Sequence, residues 1–188
     1  PMIGWIRQMT WPQTGLSWHP TSPNIPSLDS VAGYPMTGLG AQMGKFKHGI
    51  GTEHPFRFLT YEGKEASVLK SELDRFQIPG LSFQVKTIKK ADGDSIEGVY
   101  IIINDWNSWQ PTALPFYMMQ LSALWQTPSP FTQASESEIA LFNKHVGSQT
   151  WWNALEKEGG QVNTKLFLAE WNAYSAQFKN TVKPYLLY

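Results

Sequence analysis

Eight consecutive residues combine a permissive backbone with side chains that can do chemistry: Gly49-Ile50-Gly51-Thr52-Glu53-His54-Pro55-Phe56. The two glycines let the backbone take positive φ angles and come close to other groups. A hydroxyl, a carboxylate and an imidazole follow at once, and a proline then stiffens the chain. The pattern is typical of a binding-site loop. It is also compatible with an ordinary turn into a strand, because glycine and proline are turn residues first.

A second segment with the character of a site runs from residue 14 to residue 26 and contains three prolines at intervals of three, at positions 20, 23 and 26. Proline forbids both a helix and an interior strand here, so we expect an extended segment on the surface. Trp18, Ser22 and Asn24 are its candidate binding residues. The structural alternative is a strap that its own side chains hold in place.

Spacing excludes several catalytic classes. The four histidines do not form a helical metal-binding pair, and a metal site made by His48 and His54 is a remote alternative. Gly49 and Gly51 lack the third glycine of a dinucleotide fingerprint, and no serine lies in a Gly-x-Ser-x-Gly elbow. Glycoside hydrolysis usually needs two carboxyl groups, and only Glu53 lies in a suitable loop. The residues alone therefore indicate a ligand-facing domain with no cofactor, no metal and no complete catalytic set.

Composition indicates a globular chain that is long enough for one domain with a full core. The chain has 188 residues, of which 41% are hydrophobic, and its 15 basic residues balance 15 acidic ones. Balanced charge gives no reason to expect nucleic acid or an anionic membrane as a partner. The absence of cysteine excludes disulfides and thiolate chemistry. No apolar run approaches a membrane span, and no signal pattern is visible. The abrupt opening on Pro1 suggests a start inside a larger protein.

Nine tryptophans are unusual for this length. Most must lie in the core, because each ring buries a large apolar area. Four of them lie in segments rich in Pro, Asn, Ser and Gly: Trp11, Trp18, Trp106 and Trp109. Such a loop tryptophan either offers a flat face to a sugar or anchors its own loop.

Hydrophobic periodicity and the positions of glycine and proline predict an α+β fold with a small mixed β-sheet packed by helices and a helical C-terminal third. Strands are predicted at 2–11, 56–61, 81–89 and 96–104. Helices are predicted from 28 to about 33, with Ser27 as N-cap, and at 64–76, 112–125, 136–146, 150–158 and 164–182. The third and fourth strands should form a hairpin through residues 91–94, with Asp92 and Asp94 as turn residues. The fourth strand is apolar on both faces and should be central in the sheet.

The last helix carries aromatic residues at helical spacing: Phe167, Trp171, Tyr174 and Phe178. We predict that this stripe faces the core and that Asn163 caps the helix. The end of the chain, Tyr185-Leu186-Leu187-Tyr188, is too apolar for a free tail and is predicted to dock on the body.

The order of these motifs resembles one known family. The elements are Trp18-x-Pro20-x-Ser22-Pro23-Asn24-x-Pro26, Tyr34-Pro35, Gly49-x-Gly51-Thr52-x-x-Pro55-Phe56 and the terminal Tyr-Leu-Leu-Tyr. Over essentially all 188 residues they are similar to the C-terminal half of NamZ-type exo-β-N-acetylmuramidases, bacterial proteins formerly known as a domain of unknown function. The first and last elements are the specific ones.

The resemblance implies a two-domain glycoside hydrolase that releases N-acetylmuramic acid from the non-reducing end of peptidoglycan fragments in cell wall recycling. An N-terminal Rossmann-like domain would carry the main catalytic acid, and this chain would be the C-terminal domain and would form the other wall of the cleft. Export to the periplasm or beyond is also implied. The implied substrate-binding set is Trp18, Ser22, Asn24, Gly49, Gly51, Thr52, Glu53 and His54, with Arg7 nearby.

One departure keeps a second hypothesis open. Many members of the family have a Glu-Gly-Thr-Asn run before the glycine pair, whereas residues 40–48 here contain no carboxylate. The alternative is a non-catalytic carbohydrate-binding or scaffold domain in which the fold persists without the chemistry. Under the first hypothesis, Trp18, Asn24 and Thr52 should converge on one cleft.

Overall fold

A four-stranded antiparallel sheet with helices packed on it forms the body of the molecule. The computed structural model describes residues 3–40, 42–90 and 93–187. Within them the strands are β1 (Phe46–Lys47), β2 (Phe58–Tyr61), β3 (Leu81–Lys89) and β4 (Ser95–Ile103), in the spatial order β1-β2-β4-β3. The α+β class and the central position of β4 are confirmed. The predicted mixed sheet is instead antiparallel at each described pairing.

Six α-helices accompany the sheet in the described part of the chain, and four of them follow it. They are α1 (Leu28–Thr37), α2 (Ala66–Arg75), α3 (Ala113–Trp125), α4 (Glu136–Val146), α5 (Gln149–Glu158) and α6 (Thr164–Val182). The helical C-terminal third is therefore confirmed. So are the caps that the sequence predicted, because the side chains of Ser27 and Asn163 accept hydrogen bonds from the first turns of α1 and α6.

The core lies between one face of the sheet and the helices. Val99 and Ile101 of β4 are fully buried there, as are Phe116 of α3 and the Trp151–Trp152 pair of α5. Phe116 meets Trp151 edge to face at 5.1 Å, a favourable geometry for aromatic rings. Most of the aromatic content therefore stabilises the fold rather than a site, as composition suggested.

The β3–β4 hairpin is confirmed by its register, in which Lys89 pairs with Ser95. Its predicted turn falls partly on Ala91 and Asp92, which lie outside the described residues. The flanks of the turn close on each other, since the Lys90 N–H donates to the Asp94 carbonyl at 2.8 Å.

Two predictions near the N-terminus are wrong. In the described residues, the stretch predicted as a strand at 2–11 forms turns and leads into a 3₁₀ turn at Trp11–Thr14, because no neighbouring strand is available to pair with it. Helix α1 does not end at Gly33 or Pro35 but continues to Thr37. Tertiary packing overrides the local helix-breaking tendency there, since the buried part of α1 includes Gly33 and Met36.

The prediction for the C-terminal helix is half right. Phe167 and Trp171 pack against Phe116, but Tyr174 and Phe178 are 75% and 60% exposed. The tail is also exposed at Tyr185 and Leu187, so its predicted docking on the described body is wrong, and Tyr188 lies outside the described residues. Helix α6 is 19 residues long, and its two buried residues, Thr164 and Leu168, lie in its first half, so the second half of the aromatic stripe has no core to pack against.

Candidate functional site

The proline-rich segment and the glycine loop lie side by side and line an open hollow of about 470 Å³. We call it the loop hollow and define it by Ser22, Asn24, Ile25, Tyr34, Gly38, His48, Ile50 and Phe56. A tight turn holds the proline-rich side, where the Ile25 N–H donates to the Ser22 carbonyl at 3.0 Å. The Asn24 N–H donates to Ser22 Oγ at 3.1 Å, which leaves the exposed Asn24 side chain facing the opening.

A glycine in α1 makes this meeting possible. A Cβ on Gly33 would lie 2.5 Å from the Phe56 carbonyl oxygen, so only glycine lets the helix approach the loop this closely. The hydroxyl of Thr37, one turn further on, donates to the same carbonyl at 3.0 Å. Helix α1 is therefore fastened to the loop, and the proline-rich segment that precedes α1 is placed beside it.

The glycine loop closes on itself with a strained backbone. Gly49 has a φ of +75°, and a Cβ there would lie 2.5 Å from the His54 carbonyl oxygen. Phe56 has a φ of 63°, a rare conformation for a bulky residue that surrounding contacts must enforce. The Phe56 N–H donates to the His48 carbonyl at 2.6 Å and closes the loop. The loop thus forms a tightly closed shelf at one side of the hollow.

A second, adjoining hollow of about 650 Å³ lies between the end of α1, residues 42–48 and the end of α4. We call it the α1 hollow, and its lining is Tyr34, Pro35, Gly38, Leu39, Gln42, Gly44, Phe46, Lys47, His48, Thr112 and His145. The two hollows share Tyr34, Gly38 and His48. No described residue that lines either of them carries a carboxylate.

His48 stands at the junction of the two hollows. Its ring meets Phe56 edge to face at 5.0 Å, and Phe56 in turn meets Tyr34 at 5.1 Å. Burial, and secondarily the charge of Lys47, lowers the pKa of His48, so the imidazole is neutral near pH 7. Its Nδ1 atom is buried and has no hydrogen-bond partner among the described residues. The favoured tautomer therefore carries the proton on Nε2, because a buried N–H without an acceptor is costly.

Thr52 and the two glycines lie on the other side of the loop. Gly49, Gly51 and Thr52 line a separate, smaller hollow of about 210 Å³, and only Ile50 belongs to both that hollow and the loop hollow. The Thr52 hydroxyl donates to the Gly49 carbonyl at 2.7 Å and accepts from the His54 N–H at 3.1 Å. Thr52 therefore has a clear structural role in closing the loop.

Glu53 and His54 face the outer surface of the sheet rather than either larger hollow. The Lys86 ammonium lies 2.6 Å from His54 Nε2, and the His54 ring lies against Tyr100 at 4.7 Å. Burial, followed by the charge of Lys86, lowers the pKa of His54. Glu53 Oε1 is 3.6 Å from His54 Nε2. These contacts form a surface cluster on the sheet and account for both residues without a ligand.

The loop tryptophans pack in pairs. Trp18 meets Trp11 edge to face at 5.6 Å, and Trp106 meets Trp109 at 5.2 Å. Trp18 lines neither larger hollow, and neither does Arg7. Trp18, Asn24 and Thr52 thus do not meet in one hollow, although the loops that carry Asn24 and Thr52 are adjacent. The assignment of the eight residues to substrate stays a prediction, and Ser22 and Asn24 are the members that line the loop hollow.

Four residues that line the α1 hollow carry no recognisable signal in the sequence, because only the tertiary structure brings them together. Gln42, Lys47, Thr112 and His145 come from four positions in three different segments, and no spacing rule connects them. The sequence marks His48 only as an alternative metal ligand together with His54. In the described ranges, no group of three or more His, Asp or Glu side chains is arranged to hold a metal ion.

Fold and site together define an α+β domain whose loops line open hollows with polar and aromatic side chains, and whose carboxylates lie elsewhere. The chain belongs to the family described as exo-β-N-acetylmuramidase NamZ, C-terminal, whose family model matches residues 32–188. The segment with Ser22 and Asn24 precedes that match.

Two relatives extend the comparison over the N-terminal segment as well. The peptidoglycan β-N-acetylmuramidase NamZ of Bacillus subtilis (strain 168) is 26% identical over 192 residues, which cover 100% of this chain and 44% of that protein. A crystal structure of a DUF1343 family protein from Bacteroides fragilis superimposes with a TM-score of 0.78 and 28% identity. The match covers 98% of this chain and 49% of that one. The chain therefore spans about half the length of these relatives.

Proposed function

We propose that this chain is the substrate-cleft domain of a glycoside hydrolase that releases N-acetylmuramic acid from the non-reducing end of peptidoglycan fragments. The observation that carries the proposal is the loop hollow, where Ser22 and Asn24 face His48 across a space of about 470 Å³. The family membership and the name of the Bacillus subtilis relative supply the glycan.

The lining of the hollow suits a sugar. Hydroxyl and amide groups such as those of Ser22 and Asn24 hydrogen-bond to sugar hydroxyls, while the rings of Tyr34 and Phe56 offer apolar surface to the C–H face of a pyranose. A tightly closed shelf on one side also lowers the entropic cost of binding.

The catalytic acid comes from another part of the polypeptide in this proposal. Glycosidases need carboxyl groups on both sides of the scissile bond, and no described residue lining the two hollows supplies one. The relatives are about twice as long as this chain. An N-terminal Rossmann-like domain would provide the acid and the opposite wall, and the assembled protein would act outside the cytoplasm in cell wall recycling.

Turnover of a chromogenic N-acetylmuraminide tests the proposal. The parent protein should hydrolyse it and the 188-residue chain alone should not. In the parent protein, Asn24→Ala should raise KM about fivefold by removing one hydrogen bond, while Asn180→Ala on the exposed part of α6 should change nothing. Equal kinetics for the two variants would remove Asn24 from the site.

A non-catalytic carbohydrate-binding domain is the second candidate, because the lining of the two hollows contains no carboxylate. It predicts sugar binding by this chain and no turnover by the parent protein. Hydrolysis by the parent protein rules it out.

In the described part of the chain, no helix has both the length and the apolar character that crossing a bilayer requires.

A further inference from the structure

The α1 hollow has an uneven distribution of charge. Three of its lining residues have basic side chains, Lys47, His48 and His145, while none of the described lining residues is acidic. Lys47 also lines the smaller hollow beside Gly49 and Gly51. The chain as a whole has equal numbers of acidic and basic side chains, so this local imbalance is not a reflection of composition.

Two of the three basic side chains, those of Lys47 and His145, have no polar partner in the described part of the protein. Among the described residues, the side chains of Lys47 and His145 make no hydrogen bond and no ion pair. The Glu62 carboxylate lies within the electrostatic influence of Lys47, but it accepts its hydrogen bond, at 2.9 Å, from the Lys45 ammonium. An ammonium group that has no carboxylate partner attracts anions, and neutral hydrogen-bond donors beside it strengthen the binding.

Two neutral donors complete the lining. Gln42 and Thr112 contribute an amide and a hydroxyl, and His48, whose buried Nδ1 has no partner among the described residues, contributes its Nε2–H. A carboxylate accepts several such hydrogen bonds at once.

From this lining we infer that the α1 hollow is a subsite for a carboxylate carried by the sugar, with Lys47 as its main cation and His145 beside it. The inference rests on the proposed function for the identity of the sugar. N-Acetylmuramic acid differs from N-acetylglucosamine by a lactyl ether that ends in a carboxylate. Because the two hollows share Tyr34, Gly38 and His48, one ligand can place its ring in the loop hollow and its lactyl group in the α1 hollow.

The subsite accounts for discrimination between the two peptidoglycan sugars, which the loop hollow alone does not provide. Ser22 and Asn24 offer hydrogen bonds that any hexosamine could accept, so they do not distinguish the two peptidoglycan sugars. A cation at the lactyl end favours the muramic sugar over the glucosamine sugar.

The test is a titration of the 15N-labelled 188-residue chain, followed by amide chemical shifts in NMR spectra, with four probes. They are N-acetylmuramic acid, its methyl ester, N-acetylglucosamine and lactate. We expect the acid to bind about tenfold more tightly than the ester, with shifts at Lys47 and His145, and to lose most of this advantage at 1 M salt.

Matched variants locate the effect. Lys47→Gln should lower the affinity for N-acetylmuramic acid about fivefold to tenfold and leave the affinity for the methyl ester unchanged. Lys45→Gln, two residues away and paired with Glu62, should leave both affinities unchanged. His145→Gln should lower the affinity for the acid less than Lys47→Gln does, and Lys144→Gln is its control on the same helix. Unfolding curves of each variant show that the fold is retained.

The outcomes separate the subsite from the proposed function. Equal affinities for acid, ester and N-acetylglucosamine would overturn the subsite and keep a sugar site. Binding of lactate at Lys47 without binding of any sugar would keep an anion site and overturn the proposed function. Loss of acid binding in Lys45→Gln but not in Lys47→Gln would place the cation elsewhere and overturn the inference. No binding of any probe would overturn the subsite, while turnover by the parent protein would still decide the proposed function.

Discussion

Replacing Gly49 by alanine should destabilise the protein far more than replacing Gly51, although both glycines have left-handed backbones, with φ of +75° and +82°. An L-residue in that conformation costs about 1–2 kcal/mol, and both variants incur this strain. At Gly51 a Cβ meets nothing within 4 Å. At Gly49 it would lie 2.5 Å from the His54 carbonyl oxygen and 3.1 Å from that of Phe58. These are backbone atoms that can move only if the loop opens.

The steric part adds about 1–3 kcal/mol on the scale of overpacked cores. We therefore expect Gly51→Ala to lower the free energy of unfolding by about 1–2 kcal/mol and Gly49→Ala by about 2–5 kcal/mol. Urea unfolding followed by tryptophan fluorescence measures both. Because Gly49 supports the shelf of the loop hollow, its variant should also bind sugar more weakly. Equal destabilisation of the two variants would refute the argument that the loop packs on itself as described.

Three further predictions concern particular contacts. Thr37→Val should lower the free energy of unfolding by about 1–3 kcal/mol, because the Phe56 carbonyl loses its hydroxyl donor, and a value near zero in urea unfolding would contradict it. Trp151→Ala should lower the free energy of unfolding by about 3–5 kcal/mol, whereas Tyr174→Ala, on the exposed half of α6, should change it by no more than about 0.5 kcal/mol in thermal unfolding. A large loss of stability in Tyr174→Ala would support the prediction that the whole aromatic stripe faces the core. Burial lowers the pKa of His48 below 6.5, so the unfolded chain binds the proton more readily, and stability is full above that pH and falls as the pH decreases. His48→Gln should therefore flatten the fall of the unfolding free energy from pH 7 to pH 5, and an unchanged slope would speak against the buried imidazole.

Local signals sufficed for most elements of the fold. Ser27 and Asn163 were recognised as caps because an N-cap needs only a side chain that reaches its own first turn. The uninterrupted apolar sequence of β4 predicts a central strand, and β4 does lie between β2 and β3. Only one of its faces is fully buried, however, because Val99 and Ile101 face the core while Tyr100 and Ile102 are half-buried. Long-range packing defeated the same reasoning at Gly33, where contact with Phe56 lets α1 continue past a glycine and a proline.

The aromatic spacing in α6 shows a different limit. Periodicity says which residues of a helix share a face, and Phe167, Trp171, Tyr174 and Phe178 do recur at helical intervals. It does not say how far the neighbouring body extends along that face. Only Phe167 and Trp171 pack against the core.

By itself the sequence determined the class of fold, the presence of two unusual loops and the resemblance to a family, because all three depend on local composition and order. The tertiary structure alone decided which side chains face the hollows. In the folded chain, Glu53 and His54 lie on the surface of the sheet, and Thr52 closes its own loop. Lys47 and His145, which are about a hundred residues apart in the sequence, line the same hollow. Residues so distant along the chain meet only when the whole core has formed, and no pattern within either segment records the meeting.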